Sequence, residues 1–353
     1  MFSRQSIRAQ TDRDKLTELV KWDRVVFGVK EASLPILAVD LGGTKIATGI
    51  VSDRCQVMAK AYYPTLADEG VEAVTNRIVS GINQLIGSKG IDLAQLRCVS
   101  VAAAGAIDSE RGIVTLSPNL PGWRDIPLRD IIRDKLGTKT WLINDCNAAA
   151  LAEHHLGVGK GVNNLVYLTL GTGIGGAIIL NGRLYTGACG SAGEMGHMTI
   201  DTNGQRCKCG NIGCWETLAS GSAVAREAIE RVSRGERSSL LELVSGKLEN
   251  ITAKTVAVAA RRGDALAQDV INKAGTYLGV GIMNLVNIFN PEMVIIGGGM
   301  AKMGELLLSP ARQVVRERAF PISAEAVRIV TTQLGGDAGM LGAAIFALRQ
   351  GLE

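Results

Sequence analysis

No apolar stretch in the chain approaches the roughly 20 residues needed to span a bilayer. The first 30 residues mix Arg, Lys, Asp and Glu and hold no signal-type hydrophobic region. Neither a membrane span nor a secretory leader is expected, and the chain reads as cytoplasmic. A basic block is missing too. The formal charge of +4 is spread along the sequence, so nothing in it argues for nucleic acid or an anionic membrane surface as a partner. Cysteine is too unevenly placed for a disulfide framework: the count of seven is odd, and Cys207, Cys209 and Cys214 crowd together. Cys55, Cys98, Cys146 and Cys189 read as small buried or half-buried fillers.

Glycine, by contrast, is abundant. The 43 glycines imply many tight turns and close backbone approaches. At 353 residues the chain exceeds one compact core, which favours two lobes with a cleft between them. Residues 1–34 form an extension in which Thr11-Asp12-Arg13-Asp14 precedes Leu16, Leu19, Val20 and Phe27 at helical spacing, predicting one helix. From Pro35 the pattern becomes α/β. Ile36 to Val39, Ile46 to Val51 and Val57 to Tyr63 read as a strand meander, followed by a helix near Val71 to Ile86. A buried strand at Val99 to Ala104, a helix at Leu128 to Leu136 and a strand at Trp141 to Ile143 come next. A similar order restarts at Leu165 to Leu170 and Ala177 to Leu180, with an Asn181-Gly182 turn. A helix-rich stretch, a strand at Met293 to Ile296 and a terminal helix from Ala338 to Leu348 complete the chain. The economical assembly is a duplicated βββαβα architecture. Residues 35–143 with 338–353 form a small α/β lobe, and 144–337 form a large one.

Asp40-Leu41-Gly42-Gly43-Thr44-Lys45 lies between two strands, where backbone amides can approach an anion and Thr44 adds a hydroxyl. Asp40 ends a buried strand and can orient a magnesium ion through its waters beside ATP oxygens. Taken alone, the turn is equally a tight hairpin with Asp40 as its cap. Gly171, Thr172, Gly173, Gly175 and Gly176 repeat the device in the second half, giving an exposed backbone nest. No Gly-Lys-Ser/Thr opens a helix here, so this is not a Walker loop, and a following strand excludes the Rossmann fingerprint. Gly297, Gly298 and Gly299 form a third cluster, against which an adenine can lie.

Asp145 stands where a strand gives way to an alanine-rich helix, an address for a base that takes a proton from an attacking hydroxyl. The same position suits a simple helix cap. His197, Cys207, Cys209 and Cys214 supply one imidazole and three thiols, enough for a closed structural zinc site with no open coordination position. Glu194 and Glu216 flank these ligands, so a loop over 194–216 ordered by metal also places two carboxylates able to accept hydroxyl hydrogens.

The succession DLGGTK, SPNLPGW, INDCNAAALAE, LGTGIGG, GEMGH and CKCGNIGCWE resembles the ROK family of sugar kinases and repressors from about Leu37 to the C-terminus. The resemblance implies an actin-like, hexokinase-type fold, ATP with Mg2+ in the cleft, and a homodimer or homotetramer. It assigns Asp145 as catalytic base, and Asn119, Asn144, Glu194, His197 and Glu216 as sugar contacts, with Gly105 in a lining loop. His197 then serves twice, with one ring nitrogen on zinc and the other toward sugar. Ser117 to Trp123 is most similar to the glucokinase members, which makes glucose the expected acceptor and its 6-hydroxyl the attacking group. N-acetylmannosamine, fructose or another hexose is the alternative, and a sugar-responsive transcriptional regulator a further one. Two features depart from the family pattern: Cys146 stands where a small alanine is expected, and the extension is too short for the repressors' winged helix.

Overall fold

The computed structural model describes residues 34–350, so the helix expected near the N-terminus lies outside the described residues. Long apolar runs form the central strands, because a strand covered on both faces needs no polar alternation. Strands β1 (Ile36–Leu41), β2 (Lys45–Val51) and β3 (Val57–Pro64) form an antiparallel meander. Helix α1 (Gly70–Lys89) then crosses to β4 (Cys98–Ala103), which pairs parallel with β1. A separate small sheet follows, with β5 (Ala106–Asp108), β6 (Ile113–Leu116) and β7 (Arg124–Ile126). Helix α2 (Leu128–Leu136) and β8 (Thr140–Asn144) complete the first five-stranded sheet, in the order β3-β2-β1-β4-β8.

Helix α3 (Asp145–His155) leads into the second sheet, through β9 (Leu165–Leu170), β10 (Ile174–Leu180) and β11 (Arg183–Tyr185). Five helices come next: α4 (Glu216–Ala219), α5 (Gly221–Ser233), α6 (Leu240–Leu243), α7 (Ala253–Arg261) and α8 (Ala265–Phe289). The chain returns through β12 (Met293–Gly297), α9 (Glu305–Arg318), α10 (Pro321–Ala326) and β13 (Arg328–Thr331) before the terminal helix α11 (Ala338–Arg349). The second sheet has the order β11-β10-β9-β12-β13, the same connectivity and strand directions as the first. The chain has the actin-like, hexokinase-type fold, and the duplication read from the sequence is present in both sheets.

Among the described residues, three apolar cores hold five layers together. One lies outside the first sheet, where Val74, Ile78, Ile82, Ile132 and Trp123 pack on Leu37, Val39 and Val101. Another lies outside the second sheet, where α8 and α9 pack on Val166, Leu168 and Val294. Between the sheets, the alanine-rich α3 and α11 share a core with Ala38, Ala102, Tyr167 and Ile295. Small residues allow these two helices to approach closely: Gly342 of α11 lies directly on the Ala148 carbonyl. The middle layer thus joins both sheets.

Candidate functional site

The parallel strands of the first sheet deliver their C-terminal ends to one edge. Leu41 pairs with Ala103, and Ala103 with Asn144, so the Asp40 turn, Gly105 and Asp145 leave the sheet side by side. Such carboxyl edges are where open α/β sheets bind ligands. In the second sheet Gly297 pairs with Thr169, which sets Gly298 and Gly299 beside the Gly171 to Gly176 turn. Gly298 packs against Leu170, the residue that opens that turn.

Asn144 caps α3. Its side-chain oxygen accepts from Asn147 N at 2.9 Å, while its amide donates to the Gly105 carbonyl at 2.9 Å and to Asp145 Oδ1 at 3.1 Å. The amide hydrogens of Asn144 are therefore spent on the protein. Gly105 needs its φ of +115° and leaves no space for a side chain against the Leu116 carbonyl. Asp145 Oδ1 also accepts from Cys146 N at 2.9 Å. Burial, opposed by that amide and helped by the Glu194 charge, pushes Asp145 up to about 6. Asp40 is pushed up to about 7 by burial and by Asp145, with Lys45 pulling it down. Two carboxylates near one another, both wanting a positive charge, fit a cation beside Asp40.

The first glycine turn is held from outside. Thr65 donates its hydroxyl to the Gly42 carbonyl at 2.7 Å and its amide to Thr44 at 2.9 Å. Gly43 packs on Asn119, which is exposed, and Gly339 of α11 lies against the Asp40 carboxylate with no room for a Cβ. Lys45 opens β2 with its ammonium over the Tyr62 ring. In the second turn, Gly175 lies on the Cys146 sulfur, Gly176 meets Gly193 and Met195, and Thr172 is exposed. Gly221 and Ser222 donate to the Gly171 and Thr172 carbonyls, tying the turn to the start of α5.

His197, Cys207, Cys209 and Cys214 bring one ligand atom each to within 4.8 Å of all the others. Cys209 Sγ and Cys214 Sγ are 3.6 Å apart, and Cys207 Sγ is 3.7 Å from His197 Nδ1. A zinc tetrahedron with metal–sulfur bonds near 2.3 Å has edges of about 3.7 Å, so the donor set fits that ion. Burial pushes Cys207 up to about 12, whereas Cys209 is held low, despite desolvation, by the Asn211 amide and the neighbouring thiols. Such a set exchanges its protons for a divalent ion. His197 Nε2 faces Glu194 at 3.8 Å. Glu216 Oε1 accepts from Cys207 Sγ at 3.1 Å and its Oε2 from Ile174 N at 3.4 Å, which joins the cysteine cluster to the second glycine turn. Trp215, fully buried against Gly281, donates to the Tyr277 carbonyl at 2.9 Å and pins the loop to α8.

One minor expectation changes. Cys189 is exposed, being on the loop after β11 with no core to fill. His154 of α3 is partly buried with Nε2 on the Val162 carbonyl at 2.9 Å. Sequence reasoning also missed the supports of the site: Thr65, Glu153, Asp337 and Gly339. Only the small-residue run Ala338-Gly339-Met340-Leu341-Gly342 hinted at them, as a helix built for close approach.

A two-sheet kinase-type fold with paired glycine turns around a carboxylate defines the class. The chain belongs to the ROK family, whose model matches residues 36–350. It is 39% identical to a glucokinase of Thermotoga maritima over 88% of this chain and 96% of that protein. A glucokinase from Streptomyces griseus, solved with glucose and AMPPNP, superposes with a TM-score of 0.79 at 36% identity, covering 90% of this chain and 99% of that one. A xylose repressor of Bacillus spizizenii is 30% identical over 90% of this chain and 78% of its own length.

Proposed function

We propose that the protein is an ATP-dependent hexose kinase that phosphorylates the 6-hydroxyl of glucose. The observation that carries this reading is the position of Asp145, between the Asp40 turn and the Glu194–His197 segment, with a pKa raised to about 6. A carboxylate near neutrality can hold a hydroxyl proton and release it later, a role commonly worth about 10²- to 10⁴-fold in rate. Asn144 fixes its position by capping and by the amide contact.

Glu194, the free Nε2 of His197, and Glu216 face the acceptor in this reading, with Asn119 and Gly105 closing the other side. Charged acceptors bind sugar hydroxyls more strongly than neutral ones. The turns Gly42-Gly43-Thr44 and Gly171 to Gly176 cradle the donor phosphates, with the amides of Gly43, Thr44, Thr172 and Gly173 turned to them, and Gly298 with Gly299 flank the base. Magnesium, when bound, supplies charge neutralisation on the phosphate oxygens, and Asp40 is the residue that would hold its waters. Zinc in the cysteine cluster has no coordination position left for chemistry; it orders residues 194–216 and through them the acceptor carboxylates.

We assign residues 35–143 with 338–353 to one lobe and 144–337 to the other, closing about α3 and the 332–337 segment to exclude water. We read the assembly as a homodimer or homotetramer acting in the cytoplasm. The similarity to glucokinases supports glucose over N-acetylmannosamine or fructose. A coupled ADP-release panel over glucose, mannose, fructose and the N-acetylhexosamines tests the acceptor. Glucose should give the highest kcat/KM; a preference for another hexose rejects the assignment, and no ADP release with any sugar rejects the kinase.

A further inference from the structure

Asp337 closes the segment that carries the chain from β13 on the second sheet to α11 on the first. Its carboxylate accepts from Lys60 Nζ at 2.7 Å and from the Tyr62 hydroxyl at 2.9 Å. Both donors lie on β3, the outer strand of the first sheet, two residues apart and so on the same face. Tyr62 is 45% exposed, and its hydroxyl is anchored on Asp337. Over that ring sits the Lys45 ammonium, 4.4 Å from the centroid, with Lys60 at 5.8 Å. Lys45 is the residue that follows Gly42-Gly43-Thr44, and its charge acts on both Asp40 and Asp337. Three segments far apart in sequence thus meet at one cation beside the first glycine turn.

We infer that Asp337 and Tyr62 are positioning residues for the phosphoryl donor: Asp337 anchors the Tyr62 hydroxyl, and the Tyr62 ring seats the Lys45 ammonium to meet the phosphates of a nucleoside triphosphate. This rests on the reading of that turn as a phosphate turn. The physical reason is entropy. A lysine has a flexible four-carbon stem, and an ammonium held on an aromatic face has lost part of that freedom before the ligand arrives. Exposed cation–π contact is weak enough that the ammonium can turn toward phosphate without leaving a deep well. Lys60, bound to the same carboxylate, balances its charge and leaves Lys45 as the cation available to the donor.

The test is steady-state kinetics with ATP and sugar varied separately, together with calorimetric ATP affinity, on the full chain. Tyr62→Leu should raise the ATP KM and Kd by about 5-fold, the scale of one exposed cation–π contact, with the sugar KM unchanged. Tyr62→Phe and Asp337→Asn, which keep the ring but loosen it, should give smaller shifts in the same direction. In the Lys45→Met background Tyr62→Leu should add nothing, because the ring then has no ammonium to seat. Unchanged ATP affinity in Tyr62→Leu overturns the inference. So does a full additional loss in the double variant, or an equal rise in both KM values with a lowered Tm, which marks general damage to β3. Failure of the kinase reading is a different result, since wild-type protein would then release no ADP; the calorimetric arm reads the donor site in either case.

Discussion

The Asn144 amide lies 3.1 Å from Asp145 Oδ1, while the Asn144 oxygen caps the helix that Asp145 begins. One side chain therefore fixes both the direction of α3 and the rotamer of the proposed base. Asn144→Ala should cost about 1 kcal/mol of stability from the lost cap. It should also lower kcat by roughly 10-fold or more, because a misplaced base loses near-attack geometry. Thermal melts and kcat at saturating substrates check the pair. A stability loss without any fall in kcat would separate Asn144 from the chemistry.

The raised carboxylates predict the pH dependence. A base must be deprotonated to act, so kcat/KM should fall as pH drops through the Asp145 value of about 6. Magnesium beside Asp40 favours its charged form, so the limb should lie higher at limiting magnesium and settle near or below that value when magnesium saturates. A limb at the ordinary carboxylate value, seen at both magnesium levels, would contradict the burial argument. Stability runs the opposite way with pH. The folded-state pKa of Asp145 is raised, so its ionisation disfavours the fold increasingly from about pH 4 to pH 6, and the penalty persists above. Asp145→Asn should therefore raise Tm at pH 7.5 and leave it nearly unchanged at pH 4.

Metal removal should act on the acceptor side. Chelation, or Cys209→Ala, frees the 194–216 segment and with it Glu194, His197 and Glu216. Sugar affinity by calorimetry should weaken by roughly 10-fold or more, the scale seen when metal-site supports are lost, and Tm should fall. ATP affinity should change less, since the Asp40 turn is held by Thr65 and α11, and the second turn keeps its bonds from Gly221 and Ser222. Unchanged sugar affinity in zinc-free protein would remove the bracing role.

Glu153 is fully buried on α3 and reaches across to the segment that enters α11. Its Oε1 accepts from the Thr332 hydroxyl, from Gln333 N at 3.0 Å and from Leu334 N at 2.8 Å, and its Oε2 from Val158 N at 3.2 Å. Glu153→Ala leaves several part-buried donors without their acceptor and should cost about 3 kcal/mol, whereas Glu153→Gln keeps an acceptor and should cost roughly half as much. Urea denaturation of the two variants measures this. Equal and small losses would show that water replaces the carboxylate without penalty.

How much of this was legible in the sequence depends on the range of the interaction. The strands ending at Leu41, Asn144, Leu170 and Gly297 were readable because each is an apolar run closed by a glycine or a polar cap. His197 and the three cysteines were readable because a metal shell is dense in local sequence. The sheet β5-β6-β7 was missed, since its strands have three or four residues and no sustained alternation. Strand β13 was missed for the same reason: Arg328–Thr331 is short and lies at a sheet edge. The links from Glu153 to Leu334 and from Tyr62 to Asp337 join residues 181 and 275 positions apart, and no local pattern encodes such a pairing.

Phosphoryl transfer in this protein rests most directly on Asp145 as the base. Asp145→Asn keeps the size and the hydrogen bond from Cys146 N but removes the proton acceptor. The decisive measurement is kcat of this variant with glucose and ATP, alongside its calorimetric glucose affinity. The prediction is a fall in kcat of about 10²-fold or more, with glucose Kd nearly unchanged. Turnover close to wild type would reject Asp145 as the base.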